Sequence, residues 1–352
     1  MSIVSSYFSK DISYLIFYVT NMCNFRCKFC YYSEEIQKGK KVDLLTIDQI
    51  EKISKNFNKL IQISFAGGEP FLRKDFNEIT KLFIQNTGVR FINIPTNASL
   101  LDRMSEYLED VLPFNKNVSY RLTFSVDGIK KQHDENRSMP GSFKKIEDAY
   151  KLISPLRKKY KNLSLDSNTV FTSKTENNIV EILSYLSDNF QFDNQTLTYA
   201  RGSFPDKSLR SFSEQKYKSA LDYLKKRKKN KENRFLYPVY RAIREIAFEN
   251  LIKTVFHDKY INECTAVKKL IVVSEVGDVY PCELLTKQYP LGNLKKFDYD
   301  INKILKNTIS KKAKKFIKDT KCKCSFECAL SSNVAWDYKM YPKILAKTLK
   351  NF

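Results

Sequence analysis

Eight cysteines carry the most specific chemistry in this 352-residue chain. They fall at Cys23, Cys27 and Cys30, then at Cys264, Cys282, Cys322, Cys324 and Cys328, with a long cysteine-free stretch between the groups. An even count permits a disulfide framework. Short-spaced thiols in a chain without a secretion signal point instead to metal or cluster ligation. Asn21–Tyr32 reads NMCNFRCKFCYY, a C-x3-C-x2-C spacing. Three thiolates on one loop can reach three corners of a cubic iron–sulfur cluster, leaving the fourth iron open. A tetrahedral zinc site completed by a remote residue uses the same donors, and three merely buried thiols are the plain alternative. In the second group Cys264-x12-Gly277-x4-Cys282 is followed by Cys322-x-Cys324-x3-Cys328. Here too the thiolates suit either a cluster or zinc.

Elements must bring these residues together. Short runs rich in β-branched and aromatic residues predict strands at Tyr14–Val19, Gln62–Phe65, Arg90–Ile94, Arg121–Val126, Ser164–Thr172 and Gln195–Tyr199. Helical periodicity between them predicts helices near Ile47–Leu60, Asp75–Asn86, Asp102–Val111, Ser142–Tyr160 and Asn178–Phe190, with Ser142 as an N-cap. Strands alternating with helices predict a parallel sheet of βαβ units, and six repeats make an open, partial barrel. From Pro205 to Tyr260 the pattern is helical, with a charged run at Leu224–Arg234 that reads as a solvated helix end. Leu270–Pro281 reads as a β-hairpin around a Gly-containing turn, and a helix follows near Asp300–Lys318.

With Phe29 before its third cysteine, the first group resembles the C-x3-C-x-aromatic-C loop of the radical S-adenosylmethionine (radical SAM) superfamily. Ser64–Pro70 (SFAGGEP) resembles that family's GGEP motif, where Gly67 and Gly68 would admit a ligand close to the backbone. Glu69, with Pro70 after it, would bond the methionine ammonium or fix the loop. By the same resemblance Thr96 and Asn97 lie near SAM, Ser125 and Asp127 contact its ribose or carboxylate, and Asn168 faces it. His133-Asp134-Glu135-Asn136-Arg137 followed by Gly141-Ser142-Phe143 resembles a stretch common in one large subgroup. Arg137 would meet the SAM carboxylate or form a structural salt bridge; His133 would cap a helix rather than transfer protons. The second cysteine group is similar to the SPASM/twitch extension. Full SPASM needs seven cysteines, so the remaining five imply one auxiliary [4Fe–4S] cluster, held by Cys264, Cys282 and two of Cys322, Cys324 and Cys328. The remaining thiol, with Cys324 a candidate, would be free for substrate chemistry.

The resemblance implies an α/β fold: a partial (β/α)6 TIM barrel with a small hairpin-plus-helix twitch/SPASM-like domain. It divides the chain into a barrel at 10–205, a helical connector at 206–260, an auxiliary domain at 261–330 and a tail at 331–352, whose Trp336, Tyr338 and Tyr341 are expected to pack on the barrel. It also implies reductive cleavage of SAM to a 5′-deoxyadenosyl radical that abstracts hydrogen from a peptide, with flavodoxin or ferredoxin as electron donor. A dehydrogenase or epimerase acting on a sugar or other small molecule is the alternative substrate reading, and RNA modification a third. Only 22 residues precede Cys23, so a leader-binding domain ahead of the barrel is expected to be absent. The chain has 61 Lys+Arg against 39 Asp+Glu, a net +22, compatible with an anionic partner or with compositional bias alone. No apolar run is long enough to span a bilayer, so a cytoplasmic protein with no membrane or nucleic-acid partner is expected.

Overall fold

In the computed structural model, which describes residues 9, 11–39, 42–210, 213–227 and 237–350, each predicted strand forms. They are β1 (Tyr14–Thr20), β2 (Gln62–Gly67), β3 (Phe91–Thr96), β4 (Ser119–Ser125), β5 (Leu163–Phe171) and β6 (Asn194–Tyr199). All five neighbouring pairs are parallel. The connecting helices include α1 (Ser33–Lys38), α2 (Ile47–Lys55), α3 (Phe76–Thr87), α4 (Leu101–Val111), α5 (Lys131–Arg137), α6 (Ser142–Ile153), α7 (Leu156–Lys159) and α8 (Ile179–Asn189).

Side-chain alternation splits each strand between two environments. Leu15, Phe17, Ile63, Phe65, Ile92, Ile94, Leu122, Phe124 and Leu165 are buried among aromatic rings such as Phe17, Phe65, Phe76 and Phe83, whose edge-to-face and tilted contacts fill the layer beneath the helices. The other face is polar and hydrogen-bonded from strand to strand. Tyr14 pairs with Ser64 at 2.9 Å, Thr123 donates to Asn93 at 2.9 Å, and Arg121 pairs with Asp166 at 2.8 Å.

The main difference from the sequence reading lies at the other edge of β1. The predicted hairpin forms as β7 (Leu270–Val273) and β8 (Asp278–Tyr280), with β9 (Gly292–Asn293) beyond. β7 pairs in parallel with β1, so all nine strands make one sheet in the order β6-β5-β4-β3-β2-β1-β7-β8-β9. Pairing β7 against β1 buries Leu270, Ile271, Val272 and Val273 completely.

Several boundaries move for local reasons. The first predicted long helix stops at Lys55, because Asn56 turns back on Ile53. Ser142–Tyr160 is broken before Pro155, which lacks the N–H a continuing helix needs. Asp300–Lys318 is two helices, α11 (Ile301–Lys306) and α12 (Thr308–Asp319), because extended Asn307 caps the second through Ser310 N–H. Ser142 is the first helical residue rather than the cap; Gly141 takes the N-cap position, and the Ser142 hydroxyl donates to Asp134. The connector contains α9 (Glu214–Lys226) and α10 (Tyr237–Val255); the charged run beyond Arg227 lies outside the described residues. The chain ends in α13 (Glu327–Trp336) and α14 (Tyr341–Lys350). Of the tail aromatics, Trp336 lies under the Lys269 ammonium at 4.5 Å, whereas Tyr338 and Tyr341 are exposed, contrary to expectation, since they flank the chain's turn into α14 on its solvent side. Among the described residues no helix is long and apolar enough to cross a membrane.

Candidate active site

Parallel strands leave their C-terminal ends, and the loops after them, on one face, which is where barrel sites form. The Cys23–Cys30 loop leaves β1 on this face, and three further loops brace it. Gly68 N–H donates to Thr20 O at 2.7 Å, and Glu69 N–H to Met22 O at 2.8 Å. A Cβ on Gly67 would lie 2.3 Å from Thr20 O, and one on Gly68 2.0 Å from Met22 O. These glycines therefore admit the cysteine loop's own backbone. Glu69 is buried; its carboxylate accepts from Thr96 Oγ1 at 2.8 Å, Asn97 N–H at 2.8 Å and Phe71 N–H at 3.3 Å. Burial pushes its pKa up to about 7 against those hydrogen bonds. These contacts tie the loop after β2 to the loop after β3. Pro70 opens the short 3-10 turn that follows.

Asn97 Nδ2 donates to Asn24 Oδ1 at 2.8 Å, and Asn24 Nδ2 donates to Ser99 Oγ at 2.8 Å, joining the loop after β3 to the cysteine loop. Asp127 is fully buried, with Oδ1 accepting from Val170 N–H at 2.6 Å and Oδ2 from Arg137 Nε at 2.5 Å. Arg137 Nη1 lies 3.7 Å from Cys27 Sγ, with its guanidinium 5.5 Å from the Phe29 ring centre. Arg137 thus forms an ion pair with Asp127 and sets a fixed positive charge beside the Cys27 thiol. Asp127 has both oxygens committed, whereas Ser125 stays partly accessible at the end of β4. Asn168, opposite Ser125 on β5, accepts from Thr196 and Thr198 hydroxyls at 2.6 and 2.8 Å. His133 is buried in α5, its Nδ1 accepting Asp127 N–H at 3.0 Å. Desolvation lowers its pKa to about 3 and keeps it neutral.

Burial dominates the state of the three loop thiols. Burial raises Cys23 to about 11 and Cys30 to about 12, with neighbouring thiolates adding to both; Cys27 is raised by burial against the pull of Arg137. Buried thiols near a guanidinium and backbone amides suit anionic metal ligands once protons are displaced. Among the described residues no three His, Cys, Asp or Glu side chains converge on one point as a single ion requires. A cubane takes each thiolate on a separate iron, a donor set that three thiols on one loop can supply.

The second group divides. Cys264 and Cys282 are buried at the two ends of the hairpin. Cys264 raises the pKa of Cys282, Cys322 and Cys324, and Cys282 also feels Cys322, so these four form one electrostatic neighbourhood. Burial raises the Cys328 thiol most, followed by Glu283, with Arg201 and a Tyr14 hydrogen bond pulling the other way. Sequence reasoning missed Arg201, Tyr31, Glu283 and Glu327 at the barrel mouth. Their positions beside cysteines (Tyr31 after Cys30, Glu283 after Cys282, Glu327 before Cys328) were the available signal.

The radical SAM superfamily model matches residues 17–186, and a model for an iron–sulfur cluster-binding domain, SPASM, matches 264–329. The cysteine-type anaerobic sulfatase-maturating enzyme of Clostridium novyi (strain NT) is 29% identical over 199 residues, covering 52% of this chain and 50% of that protein. The GTP 3′,8-cyclase of Alkaliphilus metalliredigens (strain QYMF) is 29% identical over 125 residues, 35% of this chain and 37% of that enzyme. The chain thus spans half or less of these relatives' length. Among solved structures, native anSMEcpe with bound AdoMet and Cp18Cys peptide superposes with a TM-score of 0.59 at 20% identity, over 96% of this chain and 97% of that one. Streptococcus suis SuiB bound to precursor peptide SuiA gives a TM-score of 0.60 at 15% identity, over 87% of this chain and 67% of that one. At these identities the likeness is one of fold. Matched along its barrel by one family and along its hairpin by the other, the chain belongs to the radical SAM superfamily and carries a SPASM iron–sulfur cluster-binding domain.

Proposed function

We propose that this protein modifies a peptide by radical chemistry, with Cys23, Cys27 and Cys30 holding the SAM-binding [4Fe–4S] cluster. Cys264, Cys282, Cys322 and Cys324 would hold one auxiliary cluster, and Cys328 would stay unligated. Bound together, the first cluster and SAM supply a 5′-deoxyadenosyl radical able to take hydrogen from an unreactive C–H bond. The chain's own groups do the rest. Arg137 places positive charge at Cys27, and Glu69 holds the loops after β1, β2 and β3 in register. Ser125, Asn168, Thr196 and Thr198 offer hydroxyl and amide groups on the barrel's polar face for orienting SAM and substrate.

One observation carries the peptide reading. The peptide-bound anSMEcpe structure matches this fold along 96% of the chain. In sequence, the sulfatase-maturating relative matches 52% of the chain and three GTP 3′,8-cyclases 35 to 39%. A nucleotide substrate is the competing reading, and it rests on the cyclase likeness.

Anaerobically reconstituted protein should contain about eight irons and no stoichiometric zinc, as two cubane clusters require. With dithionite and SAM it should release 5′-deoxyadenosine. Cys27→Ala should abolish release, and Cys324→Ser should halve the iron while Cys328→Ser keeps it. Retained release in Cys27→Ala, or bound zinc with about four irons, would sink the assignment. Conversion of GTP by the protein, with no change in peptides encoded beside its gene, would overturn the peptide reading.

A further inference from the structure

One guanidinium at the barrel mouth belongs to none of the motifs. Arg201 lies just beyond β6, with its side chain 12% exposed. Nη2 donates to Glu283 Oε2 at 2.6 Å, Nε reaches the same oxygen at 3.2 Å, and Nη1 meets Glu327 Oε2 at 3.3 Å. Its carbon centre lies 5.2 Å from the Tyr31 ring centre and 4.7 Å from that of Phe326. The partners are themselves fixed. Tyr31 Oη donates to Glu283 Oε1 at 2.9 Å, and Tyr199 N–H donates to Glu327 Oε1 at 2.6 Å.

Three of the four side chains named against Arg201 adjoin a cysteine. Tyr31 follows Cys30, Glu283 follows Cys282, and Phe326 and Glu327 lie between Cys324 and Cys328. Segments far apart in sequence therefore meet on one buried cation. Arginine suits the task through its rigid fork and flat, stackable face; a lysine would satisfy one carboxylate and stack poorly. Removing the cation would leave two carboxylates facing each other in a poorly solvated site, which costs far more than losing a surface pair.

We propose that Arg201 is a positioning residue that sets the separation and orientation of the two cluster-bearing loops, holding Glu283 against Tyr31 between Cys30 and Cys282. This rests on the two-cluster reading above, but its contacts are formed by the protein alone. Loss of Arg201 should release the hairpin end from the first cysteine loop while leaving both thiol sets intact.

The test compares wild type with Arg201→Gln, Arg201→Lys and Glu283→Gln, in two measurements. In metal-free protein, alkylation of buried Cys282 by iodoacetamide, followed by mass spectrometry, should be at least about tenfold faster in Arg201→Gln, because local opening sets access to a buried group. Arg201→Lys and Glu283→Gln should fall between. In reconstituted protein at unchanged iron content, electron paramagnetic resonance of both reduced clusters should show weaker or broadened inter-cluster coupling in Arg201→Gln, partly restored in Arg201→Lys. Wild-type Cys282 alkylation together with wild-type coupling in Arg201→Gln would overturn the proposal. If that variant does not fold, the same two readouts in Glu283→Gln decide it. A wild-type protein that binds no iron would instead refute the two-cluster reading, and the metal-free alkylation series would still judge Arg201.

Discussion

At the scale of single residues, the site shows how much of a motif is spent on holding loops rather than ligands. Glu69 and Asp127 turn both carboxylate oxygens, and His133 its Nδ1, toward neighbouring backbone or side chains. His133 also makes a testable pH dependence. Its folded pKa is lowered from 6.5 to about 3 by burial. The unfolded chain therefore binds a proton that the folded chain refuses, and stability is lost as pH falls below 6.5 toward 3. One such group contributes at most about 1.4 kcal/mol per pH unit. The metal-free wild type should lose more stability between pH 7 and pH 5 in urea titrations than His133→Asn, which cannot charge. Parallel losses in the two proteins would show that His133 is not the responsible group.

At the scale of elements, the decisive contact is the end of β2 zipped onto the loop leaving β1. Gly68 leaves no room for a side chain, since a Cβ there would sit 2.0 Å from the Met22 carbonyl oxygen. Gly68→Ala must push the two backbones apart and weaken the hydrogen bonds from Gly68 and Glu69. The expected loss is about 2 kcal/mol or more in urea unfolding of the metal-free protein, the usual range for overpacking combined with lost buried hydrogen bonds. Iron uptake at the first cluster should fall with it. A Gly68→Ala protein with wild-type stability and iron content would mean that the loop is free to move, contrary to these contacts.

At the scale of the whole molecule, the hairpin is part of the barrel sheet rather than an appendage. β7 covers the edge of β1, and Leu270 to Val273 are wholly buried there. Deleting residues 261–352 would expose unpaired β1 backbone beside a large apolar surface, the usual route to edge-to-edge association. The shortened chain should run as aggregates in size-exclusion chromatography. A monodisperse monomer with cooperative unfolding would show instead that the barrel closes on its own. The net charge of +22 plays no visible part in this architecture; lysines such as Lys55, Lys144 and Lys218 lie in surface ion pairs worth little.

Local signals were enough to read the six alternating strands, the hairpin and the cysteine loop. Strand composition, turn chemistry and ligand spacing are properties of short segments, so they survive without tertiary context. That is also why GGEP and the residues after β3, β4 and β5 could be assigned to one face: parallel strands put their C-terminal ends together by topology. Helix ends were less legible, because Pro155 and Asn307 act through backbone geometry that periodicity does not record. The sequence alone also could not divide the last three cysteines. Their spacing lets any two join Cys264 and Cys282; Cys328 is proposed as the odd one because of the Glu283, Arg201 and Tyr14 groups that surround it in the fold. Arg201 lay further still from local reading. A lone arginine after a strand has no pattern; it acquires meaning when the fold brings Tyr31, Glu283 and Glu327, each beside a cysteine, around one buried charge.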